Sequence, residues 1–366
     1  NWLPFSVTSL FVISIPLVGV IFSKRQWLLS KKYGYLTPSE MVSDYFKSNI
    51  IRILVVVITL GFSIPFIAMQ LSFGGLLLNI ISDDILGKGS GSILIGAIVC
   101  VYLSTGGIRS LIVIDSIQFL LIIFGIFCIG FITYDLVGGW SLLNESLSRI
   151  ANIKENLFNV KENYNSFLSI PGTIKTVNLL NDELPYNGIW TSSMILTFVL
   201  ALSGIQLAPN VSMITYASKD PGYFATQQIW FSGFLIGFLL IFFVTGIGMG
   251  SALLGANNTI NESGNNVSNI LPPDIYPNNF MSLVPNIINL VGEYSFIFFG
   301  ILGICAIAAI QSMASLILTS SAIVTRDIIK KFFVNNLTNK MEIFSSRIII
   351  MLIFCIYIIV LIVKNN

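Results

Sequence analysis

Histidine is absent from the 366 residues, which rules out His-based metal sites, proton shuttles and catalytic triads within the chain. Charge is scarce as well. Only 10% of the residues are Asp, Glu, Lys or Arg, where a soluble domain carries about 25%. The four cysteines, Cys100, Cys128, Cys305 and Cys355, stand alone inside apolar stretches without CxxC spacing, and read as small core residues. Neither GxxxxGK[ST] nor GxGxxG occurs, so nothing local supports nucleotide binding. A net charge of +2 spread over scattered loops leaves no patch for nucleic acid. These absences point away from an enzyme.

What the chain has instead is apolar length. Hydrophobic residues make up 55% of it, and the mean hydropathy is +0.86. A bilayer core of roughly 30 Å needs about 20 apolar residues in a helix. The sequence supplies eight such blocks, at approximately 3–23, 53–80, 91–107, 111–136, 190–209, 228–254, 294–324 and 345–363. Their length excludes barrel strands, which alternate over about ten residues. The expectation is one all-α transmembrane domain over 1–366, multi-pass in the cell membrane, with external loops at about 137–188 and 255–280.

Charge also orients the blocks. If the first enters from outside, one set of loops holds thirteen of the nineteen Lys and Arg, among them Lys24, Arg52, Arg109, Arg326, Lys330 and Arg347. The opposite set holds six, so the first set is the cytoplasmic one by the positive-inside rule. The chain begins with Asn and enters a block almost at once, as expected of a sequence that starts partway through a longer protein.

Four stretches carry chemistry. In the run Gly106–Gln118, a double glycine permits a tight turn between two helices. Asp115 and Gln118 follow three apart, on one helical face about two turns in. A carboxylate at that depth calls for an ion route, a buried partner or access to the interface. In the run Ala308–Asp327, spacings of four, three and four put Ala308, Ser312, Ser315 and Thr319 on one stripe. Such a stripe serves close helix packing in lipid, or a weak oxygen cage for an alkali cation.

In the first basic loop, Thr37, Pro38 and Glu40 form a capping box that starts a helix. Finally, Ser203, Gly204, Gln206 and Pro209 make poor continuous helix. Broken helices of this kind build substrate sites in secondary transporters, and a proline kink near the membrane edge would look the same from sequence.

All four stretches resemble motifs of the sodium:solute symporter family, and they occur in that family's order. Gly106–Gly107 with Asp115 and Gln118 is similar to its GG-x(7)-D-x-x-Q signature, and Ala308–Ser312 to its AA-x-x-S helix. Thr37–Val42 matches its first loop, and Pro209 matches the Pro of its QP motif. The chain departs from the pattern at Met313, where a second Ser or Thr is usual, at Ala208 in place of Gln, at Ile214 in place of Arg and at Asp44 in place of a basic residue.

The resemblance implies a LeuT-like inverted-repeat core, with the eight blocks as core helices two to nine. It implies a sodium-coupled symporter that moves a small organic solute, an organic acid or amino acid, by alternating access. Sodium is the coupling ion and no cofactor is implied; the partners are the solute, the ion and the lipid bilayer. Ala309 and Ser312 would bind sodium, with Ser315 a substitute oxygen, while Asp115 and Gln118 would mark its exit. Ser203, Gly204 and Gln206 would border the solute. A symporter-like sensor fused to a histidine kinase, or a non-transporting scaffold or degraded fragment, would carry much the same blocks.

Overall fold

A computed structural model describes residues 3–147, 192–254, 280–333 and 338–365. The described residues are almost all helical and include no strand. Among the described residues, six helices are long and apolar enough to cross a membrane. Most of the two expected external loops lies outside the described residues.

The helices follow from the blocks. α1 (Leu3–Tyr33) contains the first, and a short α2 (Pro38–Phe46) sits in the basic loop. α3 (Asn49–Ile81) carries the second block. The third and fourth blocks share one 50-residue run, α4 (Lys88–Val137), broken at Gly107 by a non-helical φ of 61° and ψ of −151°. α5 (Ser192–Gly204) and α6 (Pro209–Ala217) are separated by the single 3-10 turn Ile205–Leu207. α7 spans 224–254 and passes through two π-helical stretches, Gln228–Ile236 and Leu239–Val244.

Next come α8 (Leu283–Tyr294) and α9 (Phe296–Gln311). A tightened turn at Ser312 and Met313 leads to α10 (Ala314–Ile323), which runs on as a π-helix from Val324 to Phe333. α11 (Asn339–Asn365) covers the last block.

The residues divide into two compact units. The first draws its described residues from Asn1–Ile21, Ile126–Gln206 and Tyr223–Leu283. Here helices meet through glycine, as expected where lipid removes the usual hydrophobic drive and close backbone approach must supply the contact. A Cβ on Gly237 would lie 2.8 Å from a Val12 methyl, and one on Gly130 would lie 2.3 Å from the Phe243 ring. Phe243 in turn meets Phe127 and Phe131 edge-on, and the Tyr134 hydroxyl donates to the Phe242 carbonyl at 2.6 Å.

The second unit draws its described residues from Phe22–Gly125, Leu207–Gly222 and Val284–Asn366. Its central member is the span of α9, α10 and the π-helix, Phe296–Phe333. Buried residues fill 56% of that span's most apolar window, against at most 33% in any other span. α3 packs on both α9 and α10, and α11 packs on α10. Hydroxyls along α10 and the π-helix after it are buried at Ser315, Thr319, Ser320, Ser321 and Thr325. Thr319 and Thr325 donate to carbonyls four residues back, at 2.8 Å each, and so satisfy themselves without water.

A tight crossing joins α3 to the start of α4. A Cβ on Gly75 would fall 2.1 Å from the Lys88 carbonyl oxygen and 2.1 Å from the Ser92 hydroxyl. Gly75→Ala is therefore expected to force the two helices apart and cost about 1–3 kcal/mol. On the same helix Gly61 has nothing within 4 Å of a built Cβ, so Gly61→Ala should be neutral or slightly stabilising by helix propensity. Unfolding temperatures of the two variants in detergent test this, and equal values would contradict it.

Candidate functional site

The helix carrying Ala309 and Ser312 tightens where the sequence suggested an oxygen site, its backbone still right-handed helical at Ser312 (φ −56°, ψ −17°) and Met313 (φ −61°, ψ −18°). α9 ends at Gln311, Ser312 and Met313 form a turn, and α10 resumes at Ala314. Through the turn the Ser312 and Met313 amides reach back to Ala309 and Ile310 carbonyls at 3.4 Å, long for hydrogen bonds. The Ser312 hydroxyl donates to the Ala309 carbonyl at 2.8 Å. Both residues are exposed on the same side of the helix. Two oxygens thus lie next to each other at a tightened turn of the helix, the kind of uncharged donor set a hard alkali cation accepts.

Ser315 does not join them on the open side. It is buried, and its hydroxyl donates to the Ser312 carbonyl at 3.1 Å. Met313, the departure from the expected hydroxyl, is fully buried and acts as an apolar anchor for the turn.

Asp115 and Gln118 project from the second half of α4. One Asp115 carboxylate oxygen is buried with no partner among the described residues. Gln118 is buried, and its amide donates to the Gln311 side-chain carbonyl at 2.7 Å. The structure therefore links the two regions that sequence treated separately, through a glutamine that sequence passed over. The helices come close there: a Cβ on Gly125 would sit 2.7 Å from that of Cys305.

The third region behaves partly as expected. The helix breaks at Ile205–Leu207, and Ala208 is extended, with φ −58° and ψ 143°. Ser203 and Gly204 stay within α5, and the Ser203 hydroxyl donates to its own helix at Val199, 2.6 Å away. Proline clashes with the carbonyl four residues earlier, here Ile205, so the unwinding starts at that residue rather than at Ser203. Gln206 is buried, and its amide donates to the Gln228 side chain at 3.2 Å. Its own carbonyl oxygen has no partner among the described residues.

On the basic side, the capping box forms as read. The Thr37 hydroxyl accepts from the Glu40 amide at 3.2 Å, and the Glu40 carboxylate accepts from the Thr37 amide at 3.3 Å. Asp44, which departs from the family pattern, has a local use: its carboxylate accepts the Tyr35 hydroxyl, which pushes the Tyr35 phenol up to about 12.

A feature missed from sequence lies here as well. Asp327, fully buried, pairs with Arg52 at 2.6 Å and accepts from the Thr37 and Ser39 hydroxyls. Arg52 reaches Glu40 at 3.4 Å, and Glu40 meets Arg326 at 3.2 Å. Arg326 pairs with Glu342 at 2.7 Å, and Glu342 with Lys330 at 2.8 Å. Burial pushes the Glu342 carboxyl up, but the Lys330 and Arg326 contacts outweigh it and hold the group below the usual carboxylate range.

Next to this chain of charges is a cavity of about 670 Å³, bounded by the Gly106–Gly107 turn, Met213, Leu318, Ala322, Arg326 and Arg347. Leu318, Ala322 and Arg326 continue the helical face of Ser315 at intervals of three, four and four. Among the described residues no cluster of His, Cys, Asp and Glu could hold a metal.

Comparison with known proteins agrees with the sequence motifs. No curated protein matches the chain. Among solved structures, a Na+-coupled sialic acid symporter in a substrate-bound outward-open state, described as revealing a novel Na+ site, resembles it with a TM-score of 0.66. The match covers 99% of this chain and 70% of that one at 16% identity, which establishes a shared fold. The profile of the sodium:solute symporter family matches residues 2–366. The chain is therefore a multi-pass membrane protein that belongs to the sodium:solute symporter family.

Proposed function

We propose that this chain moves a small organic solute, an organic acid or amino acid, in symport with sodium. The observation that carries the reading is the tightened helical turn at Ser312, where the Ala309 carbonyl and the Ser312 hydroxyl lie side by side and exposed. In this reading sodium binds at those oxygens and leaves past Asp115 toward the cavity on the basic side. Its gradient and the membrane potential supply the work, about 2.3 kcal/mol per charge per 100 mV. The helix break at Ile205–Leu207 frees backbone groups that protein, solute or cavity water must satisfy. Solute binds there, and Gln206 offers its unpartnered carbonyl oxygen to a donor such as an ammonium or hydroxyl.

Uptake into proteoliposomes, with sodium replaced by choline, tests the reading across a panel of carboxylates and amino acids. A sodium-dependent component is expected for at least one solute. Ser312→Ala should raise the sodium concentration for half-maximal uptake about tenfold, the loss of a hydrogen-bond-sized contact of about 1.4 kcal/mol. Asp115→Asn should slow sodium release and so lower the maximal rate. If no solute shows sodium dependence and both substitutions leave all behaviour unchanged, the proposal fails.

A further inference from the structure

Three consecutive residues define the turn at the proposed sodium site, and they face different ways. Ser312 is exposed beside the Ala309 carbonyl, whereas Met313 is fully buried. Gln311 is tied by its side-chain carbonyl to the buried Gln118 amide at 2.7 Å. The residues on either side of Ser312 are thus both fastened to the protein while Ser312 stays open. The turn's own backbone bonds are long, 3.4 Å at both Ser312 and Met313, so the main chain alone holds it weakly. Gln118 is also three residues from Asp115 on the same face of α4. One amide pair therefore connects the helix of Asp115 to the turn of the oxygen site.

We infer that Gln311 and Gln118 are positioning residues for sodium. Their hydrogen bond sets the direction of the Ala309 carbonyl and the Ser312 hydroxyl, and so the affinity for the ion, without touching it. This rests on the reading of the Ala309–Ser312 turn as a sodium site. An amide pair that served only to glue two helices would add stability equally with and without sodium.

The test uses the purified full chain in detergent and sodium itself as the probe, so it needs no knowledge of the solute. The unfolding temperature is followed as sodium replaces choline at constant ionic strength, and the midpoint of its rise gives the sodium affinity. Gln311→Met and Gln118→Met remove the hydrogen bond at similar volume. Each is expected to move the sodium midpoint up about threefold to tenfold, the span of a membrane-buried polar contact. The double variant should be no worse than either single one, because the second substitution has nothing left to break. Gln311→Glu keeps an acceptor for Gln118, and should return the midpoint to the unsubstituted value or below.

A lower unfolding temperature with an unchanged sodium midpoint in Gln311→Met would overturn the inference and leave the pair as glue. Ser312→Ala, measured alongside, separates the two levels. If it shifts the midpoint while Gln311→Met does not, the positioning role is wrong and the site stands. If neither shifts it, the site reading and the inference fall together.

Discussion

Asp327→Ala is expected to be among the most damaging single substitutions in the protein, with a loss of about 3–5 kcal/mol. The Asp327 side chain is completely buried, and the Arg52 side chain opposite is only 11% exposed. Removing the carboxylate strands a guanidinium in a closed site, and an uncompensated buried charge costs far more than the pair is worth as a pair. It also leaves the Thr37 hydroxyl without its acceptor and the Ser39 hydroxyl with Thr37 alone. The consequence should spread to α2, because Thr37 caps that helix and Glu40 shares Arg52.

Replacing both partners by apolar residues, Arg52→Met with Asp327→Leu, should be milder than Asp327→Ala alone, since no charge remains to be solvated. Glu40 would keep Arg326 in that double variant. Unfolding temperatures in detergent distinguish these cases. An unchanged value for Asp327→Ala would show that the buried pair carries no weight.

Sequence revealed some of these features and hid others, for identifiable physical reasons. The spans were legible because crossing hydrocarbon requires a long apolar helix, and that requirement is written locally in blocks such as 53–80 and 228–254. The interruption before Pro209 and the capping box at Thr37 were legible for the same reason: a proline ring and a side-chain cap act within four residues. The exact start of the break was not, because Ser203 satisfies itself on Val199 and keeps its turn of helix.

Pairings across the fold left no local trace. Arg52 and Asp327 are 275 residues apart, and Gln118 and Gln311 are 193 apart. Arg52 counted in sequence only as one more loop cation, and Gln311 only as the residue before a serine. Met313 read only as a departure from the family pattern, and nothing in the sequence told that it would be fully buried under the turn. The signal that existed for Asp327 was its place at the end of an apolar block, since a carboxylate there demands a partner without naming it.

Gly107→Ala should be the second severe change, and its cause differs from that of a crowded glycine. A Cβ built on Gly107 meets nothing within 4 Å, so space would permit alanine. The backbone does not. Its φ of 61° and ψ of −151° lie in a region essentially reserved for glycine. Alanine must leave that conformation, which costs on the order of 1–3 kcal/mol if the turn is held and re-aims the following helix if it is not. A rotation at Gly107 propagates along a helix, so Asp115, Gln118 and Gly125 would all leave their places together.

The Gln118–Gln311 hydrogen bond and the close contact of Gly125 with Cys305 would both be lost. Gly107→Ala is therefore expected to weaken sodium-dependent stabilisation as well as the fold, although it lies more than a turn from Asp115. Gly106→Ala makes the comparison sharp. Its Cβ would strike the Ser110 side chain at 2.1 Å, and pairing it with Ser110→Gly should relieve that clash. No neighbouring substitution should relieve Gly107→Ala, because no neighbour opposes it. If trimming Ser110 rescued both variants, crowding rather than backbone conformation would govern the turn.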